Sequence, residues 1–178
     1  DYPENWVFGT AERIKFYARH GVKWIYLNGA KGNLLHWVAS QLLWDPSLDT
    51  DKLLTEYINV YYGVASKAML NYWALRKNTI KHHSLQNKLP LGNPSFTNAA
   101  YQLLLEAEKE ASKTKPEVQT RILEGVAEEL LTLIRYAWYA GKKTGKELSV
   151  YLRHYININQ QIYKNLQGLN YPASGLVK

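Results

Sequence analysis

Apolar residues recur at every third or fourth position along most of the chain, the spacing of helices that bury one face. Residues that commonly begin or end helices, such as Gly21, Asn33 and Gly63, interrupt this pattern. Thr10 is expected to cap the first helix, and Leu89–Pro94 is the clearest linker. Seven helices are therefore predicted, over residues 10–20, 33–44, 51–62, 64–87, 97–113, 116–140 and 144–167.

One segment departs from the helical pattern. Val22–Asn28 is rich in β-branched and aromatic residues and is closed by Gly29, a composition typical of a β-strand. A lone strand leaves its backbone N–H and C=O groups unpaired on both edges, and even an isolated hairpin is only marginally stable. We therefore expect the strand at residues 22–28 to pair with a missing upstream segment or with another chain.

The order of elements around this strand indicates a fold class. A helix, a strand and a helix with short connections are typical of one unit of a parallel α/β sheet. We interpret residues 1–44 as the end of such a sheet, with the strand at 22–28 and a helix at 33–44. Residues 45–178 are interpreted as an α-helical domain, so that the chain as a whole is mainly α.

Composition and charge exclude several functional classes. The 178 residues contain no cysteine, which excludes disulfides, thiolate metal sites and a cysteine nucleophile. The net charge of +7 is spread evenly, at +4 over residues 1–89 and +3 over residues 90–178. Because there is no basic tail, no nucleic-acid partner is expected. No uncharged apolar run approaches the ~18 residues of a membrane span, so none is expected.

Aromatic and histidine residues are the main candidates for chemistry. Six tryptophans and 14 tyrosines are typical of carbohydrate-binding proteins, but core packing is the stronger explanation for most of the tryptophans. Trp6 precedes the first predicted helix and is the tryptophan most expected to be exposed. His82 and His83 would point about 100° apart on a helix, so neither a metal site nor a cofactor is predicted. Core positions are predicted for Trp37, Trp44, Trp73 and Trp138.

Four runs of sequence carry a family resemblance: Gly21–Gly29, Leu35–Leu43, Leu43–Asp49 and Tyr61–Ala65. Together they resemble the end of a family of largely uncharacterised bacterial proteins. Those proteins have a glycoside-hydrolase-like (β/α)8 barrel followed by a helical domain, and they occur among polysaccharide-utilisation genes. The resemblance implies a periplasmic or extracellular location.

The resemblance also implies a fold for this chain and a location for the catalytic residues of the parent protein. Val22–Asn28 would be the last barrel strand and Asn33–Trp44 the last barrel helix, so this chain would hold the last helix–strand–helix unit of an incomplete α/β barrel. The paired carboxylates of a glycosidase would lie upstream, and residues 30–33 contain no acid. No catalytic residue is therefore predicted, and the chain alone is not expected to be an enzyme, although its parent protein would be carbohydrate-active.

Three residues are predicted to bind substrate. Active sites of such barrels lie at the carboxyl ends of the strands, where Tyr26 and Asn28 would face the mouth of a sugar pocket; Trp6 is the third candidate. The alternative is that Tyr26 packs inside the barrel and Asn28 caps a turn. An alternative function is a helical module that uses the helices after Pro94 to bind a protein or an acidic partner.

Overall fold

The computed structural model describes residues 6–26, 33–81, 90–141 and 145–169. This part of the chain is mainly α, as predicted. It contains no strand, and two short 3-10 turns, Gly63–Ala65 and Pro90–Gly92, accompany its helices. The α-helices are α1 (Trp6–Arg19), α2 (Asn33–Trp44), α3 (Thr50–Tyr62), α4 (Ser66–Lys81), α5 (Pro94–Ala111), α6 (Pro116–Tyr139) and α7 (Gly145–Gly168).

Two helix starts, those of α1 and α5, differ from the prediction by more than two residues. Helix α1 begins at Trp6, so Thr10 lies inside it and is buried rather than serving as the cap. The reason is that its buried face, with Val7 and Ala11, already begins before Thr10. Helix α5 begins at Pro94 because the Asn93 side chain accepts a hydrogen bond from the Ser95 backbone N–H at 3.0 Å, which caps the helix.

The predicted strand is not formed in the described residues. Residues 22–26 have no regular secondary structure, and Leu27 and Asn28 lie outside the described part of the chain. The physical reason is that a strand forms only when the N–H and C=O groups of its backbone pair with those of a neighbouring strand. Within the described ranges no second extended segment pairs with it.

The chain divides into two compact units, Asp1–Val60 and Tyr61–Lys178. The sequence predicts a different boundary, after Trp44, between the end of an α/β sheet and the helical domain. That boundary stays a prediction. The first unit is built on the packing of α1 against α2. Each of these two helices contributes a stripe of buried residues, namely Val7, Thr10, Ala11 and Ile14 on α1, and Leu34, Leu35, Val38, Ala39 and Leu42 on α2.

The second unit is built around α6, which packs against α5 and α7, while α4 packs against α5. Two glycines in this core lie where neighbouring residues come so close to the backbone that a side chain would not fit. A Cβ on Gly92 would collide with Ala140 and lie 2.8 Å from the Tyr136 carbonyl oxygen. A Cβ on Gly125 would lie 2.5 Å from the Tyr62 hydroxyl. Among the side chains buried completely in this unit are Met69, Leu91, Leu104, Ile122, Val126 and Leu130.

Candidate functional site

The first candidate site is the exposed segment, which we define as residues 22–26, between α1 and α2. It leaves α1 through a glycine-terminated cap, in which Gly21 adopts a φ of 74°. The Gly21 N–H donates to the Ala18 carbonyl at 3.1 Å, and the Val22 N–H donates to the Tyr17 carbonyl at 3.0 Å. This pair of bonds is the Schellman motif, which ends the helix and directs the exposed segment away from its axis.

Large apolar side chains on the exposed segment face solvent. Trp24 is 92% exposed, Tyr26 is 87% exposed and Val22 is 43% exposed. These three residues alternate with Lys23 and Ile25, so an extended backbone would place them on one face. Folded proteins rarely leave such a group of large apolar side chains in water, and exposed apolar patches mark interaction surfaces.

Aromatic rings also contact one another at the carboxyl end of α1, just before the exposed segment. The Phe16 and His20 rings lie 4.1 Å apart between centroids, and the Phe16 and Tyr17 rings meet edge to face at 5.8 Å. His20 Nδ1 lies 2.8 Å from the Phe16 carbonyl oxygen. Phe16 is nevertheless 49% exposed, so the carboxyl end of α1 adds apolar surface to that of the exposed segment.

The three predicted substrate-binding residues have different outcomes. Tyr26 lies on the exposed segment, where its ring is open to solvent. Asn28 lies outside the described residues. Trp6 is the first residue of α1, and its side chain also lies outside the described part. Their convergence on one pocket therefore stays a prediction.

The burial predicted for the tryptophans is right for Trp73, which is 4% exposed, and wrong for Trp44 and Trp138, which are 92% and 69% exposed. Trp44 is the last residue of α2, whereas burial along that helix ends at Leu42. Trp138 likewise lies in the last turn of α6. The periodic pattern of apolar positions thus predicts too much burial at the ends of helices, where neighbouring elements no longer cover the helix.

Carboxylates near the end of α2 have structural roles. Asp45 Oδ1 accepts hydrogen bonds from the Ser47 hydroxyl at 2.6 Å and the Ser47 N–H at 2.9 Å, and these bonds lower the pKa of Asp45. Asp49 Oδ1 accepts from the Lys52 N–H at 2.9 Å, which lowers the pKa of Asp49. Asp45 thus closes a turn and Asp49 caps α3.

A second polar cluster lies in the core of the Tyr61–Lys178 unit. Glu129 Oε2 on α6 accepts hydrogen bonds from the Tyr72 hydroxyl at 2.7 Å and from Arg76 NH1 at 2.9 Å, both on α4. The Arg76 and Glu129 side chains are only 8% and 12% exposed. The Arg76 guanidinium also lies 4.8 Å from the Trp73 ring centroid, within the range of a cation–π contact.

Burial and mutual contact perturb the groups of this cluster. Burial and the charge of Glu129 raise the pKa of Tyr72 well above its usual range. Burial is the largest influence on Arg76 and acts to lower its pKa, but Glu129, Tyr72 and Tyr136 together outweigh burial, so the pKa of Arg76 is raised. Perturbed groups can mark an active site, but structural ion pairs perturb pKa values as well. Because these groups are enclosed and bonded to one another, we assign the cluster a structural role.

Sequence reasoning missed the Arg76–Glu129 pair, although a signal was present. Glu129 follows Ile122 and Val126 at the next core position of α6 and is followed there by Leu133. A charged residue at a core position requires a buried partner. The identity of that partner depends on how α4 and α6 pack, which the local pattern does not contain.

A third cluster joins α5 and α7. His154 Nε2 lies 2.6 Å from Glu108 Oε2, and the Tyr101 ring meets the His154 ring edge to face with centroids 5.5 Å apart. The Tyr151 hydroxyl donates to Asn98 Oδ1 at 3.2 Å. These contacts tie α7 to α5 along one side. A search of the described residues finds no group of three histidine, aspartate or glutamate side chains that could hold a metal ion.

Comparison with known protein families gives a match to the amino-terminal part of the chain. Residues 2–74 match a family described as "Domain of unknown function (DUF4838)". The match includes the exposed segment, α2, α3 and the Asp45–Asp49 run, and it supports the resemblance to an uncharacterised domain family. No curated protein and no solved structure matches the chain. None of the helices in the described ranges has the length and apolar character needed to cross a membrane.

Proposed function

We propose that residues 22–26 add a strand to a glycoside-hydrolase-like barrel, and that the chain is a C-terminal region supporting a carbohydrate-binding pocket. The observation that carries this proposal is the exposure of Trp24 and Tyr26, at 92% and 87%. A segment with strand-forming residues and an uncovered apolar face is suited to pair with strands supplied from outside the described residues.

The helices on either side support the same arrangement. A parallel strand needs a crossover helix before and after it, and α1 and α2 lie in those positions in the chain. The match over residues 2–74 covers this whole helix–segment–helix unit. In a barrel of this kind, the carboxyl end of the strand opens toward the active site.

Tyr26 and Asn28 are proposed to contact sugar at that end. With a period of two they share one face of an extended segment, so both would point toward the same pocket. An aromatic ring stacks on the apolar face of a pyranose, and an amide both donates to and accepts from hydroxyl groups. Catalytic carboxylates would come from the rest of the parent protein, and this chain would supply binding and support.

The proposal is tested with the full product of the gene that encodes this chain, on an array of oligosaccharides. We expect binding to at least one glycan, weakened about tenfold by Tyr26→Ala, as for an aromatic interface residue. Trp44→Ala is the matched control, because Trp44 is equally exposed and lies in the same unit; it should leave binding unchanged.

Three results would contradict the proposal. One is the absence of glycan binding by the full gene product. Another is an equal loss of affinity in Tyr26→Ala and Trp44→Ala. The third is full glycan-cleaving activity in the isolated 178-residue chain, because the proposal places the catalytic carboxylates elsewhere.

A further inference from the structure

The last helix, α7, carries apolar side chains on a face that its own unit does not cover. Leu152, Ile156 and Tyr163 are 44%, 51% and 43% exposed. They lie within about 40° of one another around the helix, while Leu148, Tyr151, Ile158 and Ile162 form the buried face. We define Leu152, Ile156, Asn159 and Tyr163 as the outer stripe of α7.

The outer stripe has the spacing of a helix–helix seam. Its residues follow one another in steps of four, three and four, which is the a/d spacing of a coiled coil. The one polar member, Asn159, donates from its side-chain amide to the Tyr155 carbonyl at 2.7 Å. A polar residue within an apolar seam favours the register that places a polar partner opposite it, because an unpaired buried amide costs free energy.

Charge beside the outer stripe selects the kind of partner. Arg153 and Lys164 are both exposed on α7, and both follow a stripe residue directly in the chain. The Arg153 Nε donates to the Ser149 carbonyl at 3.3 Å, which holds that side chain along the helix. From Leu148 to Gly168 the sequence contains no aspartate or glutamate, so the described α7 side chains give this flank a positive charge.

We propose that the outer stripe of α7 docks an acidic amphipathic helix of a protein partner, with carboxylates facing Arg153 and Lys164. A second copy of the chain fits less well, because it would bring two basic flanks to one interface. This surface lies on α7, outside residues 2–74, so the inference does not depend on the barrel or on sugar binding.

The test uses the complete 178-residue chain and two synthetic three-heptad peptides. Both have leucine at the a and d positions and one asparagine opposite Asn159; one has glutamate at the flanking positions and the other lysine. We expect the glutamate peptide to bind, by fluorescence anisotropy, at least about tenfold more tightly than the lysine peptide. Arg153→Glu should narrow or reverse this preference.

Variants on two sides of α7 assign the binding to the outer stripe. Ile156→Ser should weaken the glutamate peptide about tenfold. Val150→Ser is the matched control, since Val150 is 47% exposed but lies more than about 100° away around α7, and it should leave affinity unchanged. Circular dichroism should show the same helicity for both variants, because neither side chain is buried.

Other outcomes overturn the proposal. They are no binding of the glutamate peptide, equal binding of the two peptides, or equal losses in Ile156→Ser and Val150→Ser. Self-association that Ile156→Ser abolishes, measured by sedimentation in the absence of peptide binding, would assign the surface to a second copy. Binding to phosphatidylglycerol vesicles in place of the glutamate peptide would assign it to a membrane surface.

Discussion

The two units of the chain treat large aromatic and charged residues differently. In the Tyr61–Lys178 unit, Trp73 is 4% exposed and packs beside Arg76, whose charge is balanced by a buried glutamate. In the Asp1–Val60 unit, Trp24 and Trp44 are each 92% exposed. The core of the second unit therefore encloses Trp73 beside a buried ion pair, although Trp138 and the outer stripe of α7 stay exposed. The first unit leaves Trp24 and Trp44 in water, as apolar surface that is suited to a partner.

The largest effect expected from this comparison comes from replacing matched tryptophans. Trp73→Ala should lower the free energy of unfolding by about 3–5 kcal/mol, because it leaves a cavity in a packed core. Trp24→Ala should change it by less than about 0.5 kcal/mol, because that side chain is already in water. Urea denaturation measures the free energy of unfolding of both variants. A large loss of stability in Trp24→Ala would contradict the difference in burial between the two tryptophans.

Much of the helical architecture could be predicted from local residues. The bounds of α2 agree with the prediction because Asn33 and the Asp45-Pro46 sequence delimit its apolar run. The behaviour of residues 22–26 could not be predicted from local preference, because a strand requires a partner. The buried contact between Arg76 and Glu129 was also missed, since it joins two residues that lie 53 positions apart in the sequence and on different helices.

A smaller loss is expected when the buried ion pair is broken. Glu129→Gln keeps the size of the side chain but removes the charge that Arg76 and Tyr72 contact, so the free energy of unfolding should fall by about 2–3 kcal/mol. Glu106→Gln on the exposed side of α5 is the control, with a change below about 0.5 kcal/mol. Equal losses in the free energy of unfolding of the two variants would show that the buried pair stabilises this unit no more than an exposed carboxylate does.

Close packing of the second unit can be tested at a glycine. Gly92→Ala should cost about 1–3 kcal/mol, because its Cβ would meet Ala140 and the Tyr136 carbonyl oxygen. Gly168→Ala has open space around the added carbon and should stay within about 0.5 kcal/mol of the unaltered protein. Thermal denaturation distinguishes them, and tolerance of Gly92→Ala would show looser packing than the structure has.

The smallest expected effect depends on pH. Glu128 lies on the exposed side of α6, but partial desolvation of its carboxyl and the nearby Glu129 carboxylate raise its pKa. A carboxyl whose pKa is higher in the folded state contributes stability below its unfolded pKa and loses it as pH rises through the folded pKa. Glu128→Gln should therefore be more stable than the unaltered protein at neutral pH, and the advantage should vanish near pH 3. An advantage that does not change with pH would contradict this assignment.

The central claim is that residues 22–26 form a strand when they pair with strands from the rest of the parent protein. Amide hydrogen exchange over these residues tests this claim most directly. In the 178-residue chain, the amides of residues 23–26 should exchange rapidly. In the full product of the gene, the same amides should be protected by at least about a hundredfold, as in a paired strand. Equally rapid exchange in both proteins would contradict the claim.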